Sequence, residues 1–89
     1  MKILQFKTVS PLYEMERDGI KPFTVRKWDG KDKRFRAMSR AMVLGEKVGI
    51  KITNPATGES FIRSFEGMGD IPFITQRWII IYLGERAEL

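Results

Sequence analysis

Short segments in which apolar and polar residues alternate, separated by turn residues, constrain the fold of this chain more than any other feature. Val48, Ile50 and Ile52 alternate with lysine or glycine, which is the two-residue period of a strand with one buried face. Residues 54–58 (NPATG) then favour a hairpin turn, and residues 60–66 predict the partner strand. The middle of the chain is therefore predicted to form a β-hairpin.

A strand and a short helix are predicted before this hairpin. Residues 2–7 (KILQFK) are rich in strand-compatible side chains. Ser10 can cap a helix and Pro11 suits its first position, so a helix of about two turns should follow. We expect Leu12, Met15 and also Tyr13 to face inward from this helix.

The next segment, residues 23–28 (FTVRKW), predicts a strand with one polar face. Its residues alternate in character, and successive side chains of a strand point to opposite sides. We expect Phe23 and Val25 to point into the core, and Thr24 and Arg26 to share the concave side.

The remaining segments are less regular. Residues 29–44 predict either a short helix or a long irregular loop. Residues 67–70 (GMGD) predict a turn, and residues 77–83 (RWIIIYL) predict a last strand that is buried on both sides. Residues 84–89 are expected to form a frayed tail.

These segments predict a mainly β (α+β) domain. Five or six strands with one or two short helices favour a small closed or nearly closed β-barrel, because closure removes exposed strand edges. Eighty-nine residues are enough for one core, so we expect a single domain over residues 1–89.

Composition excludes several classes of site. The chain has no cysteine and no histidine, which rules out disulfides, thiolate metal sites and histidine-based triads, and we expect no metal and no cofactor. Its first ten residues contain too few apolar side chains for a signal peptide or a membrane span. We therefore expect a cytoplasmic protein with no membrane partner.

Positive charge is concentrated in the middle of the chain. Between Lys21 and Lys47 stand nine cationic and three anionic side chains, a net charge of +6, against +5 for the whole chain. A localised basic patch is typical of nucleic-acid binding. The alternative is a solvated face that keeps a small protein soluble.

The segment with the clearest functional pattern combines Gly19, Lys21, Thr24 and Arg26. Glycine permits a left-handed turn, after which an ammonium, a hydroxyl and a guanidinium follow at short spacing. Together these groups suit a phosphate, a carboxylate or a nucleobase edge. Trp28 continues the same strand face, where its ring could stack beside the guanidinium. The alternative is that these cations only face solvent.

This pattern, G-x-K-x-x-T-x-R, followed by G-[D/E]-x-V-x-I at residues 45–50, resembles the ASCH domain of the PUA-like superfamily. The resemblance implies a β-barrel with a helix near its mouth and a cleft lined by the motif. It also implies RNA binding, and some short bacterial members hydrolyse acylated cytidine nucleosides. In such an enzyme Lys21 and Thr24 would act with a glutamate, for which Glu66, or else Asp70, is the candidate. It further suggests a small bacterial or phage protein.

Three functions follow as hypotheses. The first is a basic module that binds RNA or another nucleic-acid or nucleotide-like ligand. Its binding residues would be Lys21, Thr24, Arg26, Trp28, Arg34, Arg36 and Arg40. The second is a small amidohydrolase that acts on acylated nucleosides through Lys21, Thr24 and Glu66. The third is a protein-interaction module. We expect a monomer or a weak homodimer, and a carboxylate within reach of Lys21 or Thr24 would favour the hydrolase.

Overall fold

The computed structural model, which describes residues 1–72 and 77–87, is mainly β, as predicted. Five strands form one curled, half-barrel sheet, accompanied by two short helices. In chain order the elements are β1 (Lys2–Lys7), α1 (Leu12–Arg17), β2 (Phe23–Lys27), α2 (Lys33–Leu44), β3 (Val48–Thr53), β4 (Ser60–Pro72) and β5 (Arg77–Arg86). Neither helix is long and apolar enough to cross a membrane, a finding that covers the described residues.

The strand order in the sheet is β1-β3-β4-β5-β2, so β1 and β2 are its two edges. β1 pairs with β3 in parallel, and the other pairs are antiparallel. A side chain rather than a strand pairing joins the two edges, because Nη1 of Arg26 in β2 donates to the carbonyl of Lys7 in β1 over 2.6 Å. We call the gap between these two edge strands the seam.

The core is formed by side chains of the sheet together with side chains of the two helices. The predicted burial of Val48, Ile50 and Ile52 in β3 is confirmed, and the buried residues of β1 are Leu4 and Phe6. The buried apolar side chains include Leu4 and Phe6 from β1, Ile50 and Ile52 from β3, Ile79 and Ile81 from β5, Tyr13 from α1, and Phe35 and Met38 from α2. Burial of such side chains is the main favourable contribution to folding.

The orientation of β2 is opposite to the predicted one. Thr24 is 2% exposed and Val25 is 38% exposed, so Val25 points outward and the predicted inward position is wrong. Phe23 is half-buried. Thr24 and Arg26 do share one side, but it is the buried side, where Arg26 finds oxygen acceptors on β1. Those hydrogen bonds allow a guanidinium to replace an apolar residue there.

Residues 33–44 form a helix, which settles the choice between helix and loop. The Asp32 side chain accepts from the Arg34 N–H and caps the first turn, and Gly45 ends the helix with a left-handed φ of 69°. Phe35 and Met38 face the core from this helix, whereas Met42 is exposed.

The second half of the sheet is longer than predicted. Residues 67–70 lie within β4 and do not form a turn, because they pair with β5. A register shift between Phe65 and Gly67 marks a bulge at the start of this segment. Residues 84–86 continue β5, so the predicted frayed tail is wrong for them, and residues 88–89 lie outside the described residues. β5 is buried mainly on one side, since Tyr82 is exposed.

Candidate functional site

A chain of hydrogen bonds runs along the seam on its buried side. Nζ of Lys21 lies 2.7 Å from Oε2 of Glu16, a side chain that is fully buried. Oγ1 of Thr8 donates to Oε1 of Glu16 over 3.2 Å, and Nη2 of Arg26 donates to Oγ1 of Thr8 over 2.6 Å. One hydroxyl can donate and accept at the same time, so the four side chains form one connected polar network.

The turn after α1 brings Lys21 to this network. Gly19 adopts a left-handed φ of 77°, which reverses the chain, and the backbone N–H of Lys21 then donates to the carbonyl of Met15. Nη2 of Arg63 donates to the carbonyl of Arg17 and supports the end of the helix. The glycine and lysine of the sequence motif therefore act together, one shaping the turn and the other pairing with Glu16.

A cavity of about 270 Å³ opens beside the network, and we call it the motif cavity. Its polar lining is formed by Lys7, Thr8, Glu16, Lys21, Thr24 and Arg26, and its apolar lining by Val9, Leu12 and Val25. The three apolar side chains are exposed. An apolar lining with a few convergent polar groups is the usual composition of a small-ligand site.

A second cavity of about 410 Å³ lies next to the first, and we call it the arginine cavity. It is lined by Gln5, Phe6, Lys7, Arg26, Arg34 and Thr53. Lys7 and Arg26 line both cavities, so the two are neighbours along the seam.

The guanidinium of Arg34 is held firmly in the arginine cavity. Asp32 accepts hydrogen bonds from it, with Nη2 and Oδ2 2.6 Å apart, and Nη1 donates to the carbonyl of Gln5 over 2.6 Å. Its Cζ lies 4.2 Å from the ring centroid of Phe6, which Arg26 also approaches at 5.2 Å. These contacts fix the orientation of Arg34 with little freedom left.

Arg26 carries a partly buried charge, and no carboxylate in residues 1–72 and 77–87 forms an ion pair with it. Its two hydrogen bonds go to uncharged oxygens, and its Nε is buried without a partner among the described residues. Burial is the main cause that lowers the pKa of Arg26; the charge of Glu16 opposes the effect and that of Arg34 adds to it. Arg26 therefore keeps one nitrogen without an acceptor and no directly paired acid among the described residues.

The structure gathers some of the predicted site residues and separates others. Lys21, Thr24 and Arg26 line the motif cavity, and Arg34 lines the arginine cavity. Arg36 and Arg40 lie on the exposed outer side of α2.

Trp28 lies apart from the two seam cavities, although the sequence suggested that it stacks beside Arg26. Its ring stacks on Phe35 with centroids 5.4 Å apart, and the guanidinium above it belongs to Arg77. Trp28 borders a different groove, whose lining includes Met42 and Met68. Its large ring is used for packing against the core.

The carboxylates expected near Lys21 lie elsewhere. Glu66 is exposed and accepts from the Ser64 hydroxyl, and Asp70 forms an ion pair with Arg77. Neither lines a seam cavity. The carboxylate that does meet Lys21 is Glu16, which the sequence reasoning missed.

The spacing of residues in α1 indicates that Glu16 is buried. Tyr13 and Glu16 are three residues apart, so they occupy the same helix face, and both are buried. Leu12 and Met15, which were expected to face inward, are exposed. A lysine in the following motif then provides the counter-charge that a buried carboxylate needs.

Comparison of the chain with protein-family models, with curated proteins and with solved structures gives no match in any of the three. The resemblance to the ASCH domain therefore stays a prediction. Within residues 1–72 and 77–87, no group of three or more acidic side chains is arranged to hold a metal ion.

Proposed function

We propose that this protein binds RNA or another nucleotide-like ligand in the motif cavity. The observation that carries the proposal is the charge of the seam. Four cationic side chains line its two adjacent cavities, namely Lys7, Lys21, Arg26 and Arg34. The one carboxylate in those linings, Glu16, is already paired with Lys21. An anionic ligand would complete the charge balance of the site.

The motif cavity also offers what a nucleobase needs. Val9, Leu12 and Val25 provide apolar surface for a flat ring, and Lys21 and Arg26 provide donors for its polar edge. RNA-binding sites commonly combine these two kinds of contact on unpaired bases.

The outer side of α2 extends the positive surface. Lys33, Arg36 and Arg40 follow one another at intervals of three and four residues and are all exposed, so they share a helix face. Arg40 is partly neutralised by Glu46 at 3.1 Å. This face suits phosphates of an RNA that extends beyond the cavities.

Filling the motif cavity tests the proposal without disturbing the polar network. Leu12 is an exposed rim residue, so Leu12→Trp should place a ring over the opening. We expect at least about a tenfold loss of affinity for short single-stranded RNA or for nucleotides, which corresponds to about 1.4 kcal/mol. Fluorescence anisotropy and calorimetric titration measure both ligands.

Ile20→Trp is the matched control, because Ile20 is 72% exposed and lines neither cavity. Its affinity should equal that of the wild type. The proposal fails if the wild type binds neither RNA nor nucleotides, or if Leu12→Trp binds as tightly as the wild type.

One observation favours the hydrolase as a second candidate function. Glu16 lies within hydrogen-bond distance of Lys21, and Thr24 lines the same cavity. In that reaction the Thr24 hydroxyl would attack the acyl carbonyl and give its proton to the Lys21–Glu16 pair, which would pass it to the amine as the C–N bond breaks. Water would then hydrolyse the ester formed on Thr24 and release the acid. The wild type should then release the acyl group from an N-acetylated cytidine, and Thr24→Val should bind this substrate without releasing it. Absence of turnover by the wild type would exclude this candidate.

A further inference from the structure

Arg26 of β2 and Arg34 of α2 come from different elements and approach the same aromatic ring. Both guanidiniums contact Phe6. Like charges this close repel each other, and the effect of Arg34 on the pKa of Arg26 reflects that repulsion. Asp32 compensates Arg34 but lies beyond ion-pair distance of Arg26.

The third cation that lines the arginine cavity is Lys7. Its side chain is exposed and forms no ion pair with any acid in the described part of the chain. Lys7 and Arg26 also border the motif cavity. Two cations with no paired acid among the described residues thus line both cavities, and Arg34 lines the arginine cavity alone.

We propose that the ligand carries a phosphate ester, that the arginine cavity receives this phosphate, and that the motif cavity receives the attached nucleoside. The inference rests on the proposed function and narrows its ligand to nucleotides, free or within RNA.

The chemistry of the lining favours phosphate over a single carboxylate. A phosphate monoester carries a charge of about −1.5 to −2 at neutral pH and offers three acceptor oxygens. Asp32 already pairs with Arg34, so the unpaired cations of this cavity are Lys7 and Arg26; a carboxylate, with two oxygens and one charge, would compensate only one of them. The hydrogen bonds to Asp32 and Gln5 hold the Arg34 guanidinium in place before any ligand arrives, which reduces the entropy lost on binding.

Calorimetric titration of paired ligands tests the inference. The probes are the four common ribonucleosides, their 5′-monophosphates, and dinucleotides joined by one phosphodiester. For the base that binds best, the phosphate should increase affinity by at least about tenfold, as expected for a charge-assisted hydrogen bond. Arg34→Met should reduce this ratio to about twofold or less.

Lys7→Met provides a second variant that does not depend on a buried contact. Its side chain is exposed, so the fold should tolerate the change, and the phosphate ratio should fall severalfold. The matched controls are Arg86→Met and Lys27→Met, which remove exposed cations that line neither cavity. Both should keep the wild-type ratio.

The possible results distinguish the phosphate assignment from the proposed binding function on which it rests. Equal binding of nucleoside and nucleotide by the wild type overturns the phosphate assignment and leaves the binding function intact. If the phosphate increases affinity in Arg34→Met and in Lys7→Met as much as in the wild type, the assignment is also overturned, because the phosphate then binds elsewhere. If only dinucleotides bind more tightly than nucleosides, and Arg34→Met loses this gain, the assignment is supported with RNA as the source of the phosphate. Failure of every nucleoside, nucleotide and RNA to bind refutes the function itself.

Discussion

Replacement of Lys21 by methionine should destabilise the protein strongly, although the residue belongs to a binding motif. Methionine keeps most of the aliphatic length of lysine, so the main loss is the ion pair with Glu16. The Glu16 side chain is 1% exposed and that of Lys21 is 15% exposed. The substitution therefore leaves a buried carboxylate without its cation.

The expected magnitude follows from that burial. Removing one partner of a buried ion pair costs about 3 to 5 kcal/mol. Because Lys21 retains some contact with water, we expect the lower end, about 3 kcal/mol. In a domain of this size 1 kcal/mol shifts the melting temperature by about 4 to 8 °C, so the variant should melt about 12 to 24 °C below the wild type.

Thermal melts followed by circular dichroism, with the double variant Glu16→Gln/Lys21→Met, check this reasoning. Glutamine is uncharged and can still accept from Thr8, so the double variant should recover at least about half of the lost stability, a coupling that a double-mutant cycle measures. Lys27→Met, an exposed control, should change stability by less than about 0.5 kcal/mol. A Lys21→Met variant that melts within a few degrees of the wild type, or a double variant with no recovery, would refute the argument.

Three further predictions concern charge and orientation. Hydrogen bonds from Arg34 lower the pKa of Asp32, so this carboxylate stabilises the fold above its unfolded pKa of about 3.9, and the contribution is lost as the pH falls further. Melts between pH 7 and pH 2 should show a smaller acid loss in Asp32→Asn than in the wild type. Arg36→Met/Arg40→Met should reduce the salt slope of single-stranded RNA binding by about 1.4, because two phosphate contacts are removed; an unchanged slope places the RNA elsewhere. In urea titrations Val25→Thr should cost less than about 0.5 kcal/mol, whereas Thr24→Lys should cost more than about 2 kcal/mol by burying a charge. Equal costs would contradict the observed orientation of β2.

The sequence predicts the buried face of a strand correctly where the burial of apolar side chains alone determines that face. In β3, Val48, Ile50 and Ile52 alternate with residues that cannot compete for the core, so the buried face follows from the pattern. In β2 the same period holds, but the face is inverted, because Arg26 gains acceptors on β1 that are distant in the chain. Apolar pattern alone cannot anticipate such long-range hydrogen bonds.

The candidate site also depends in part on hydrogen bonds that an apolar pattern does not predict. Lys21, Thr24 and Arg26 come together as a strand and its preceding turn require, so spacing predicts their proximity. The apolar residues of α1 do not indicate the burial of Glu16, because that burial depends on its contacts with Lys21 and Thr8.

Gly67 is another residue whose structure the sequence predicts wrongly. The sequence predicts a turn at Gly67, yet with a φ of 134° this residue lies at a bulge inside β4. Glycine serves both structures, and only the strand pairing distinguishes them.

The arginines of the seam also affect self-association. An open sheet presents unpaired backbone groups at its edges, where a strand of another molecule can add. Here Arg34 and Arg26 occupy the carbonyls of Gln5 and Lys7 along the free edge of β1. An added strand would have to displace both guanidiniums from those carbonyls. Arg26 and Arg34 therefore protect the free edge of β1 against intermolecular strand pairing, and their removal should increase aggregation of the chain.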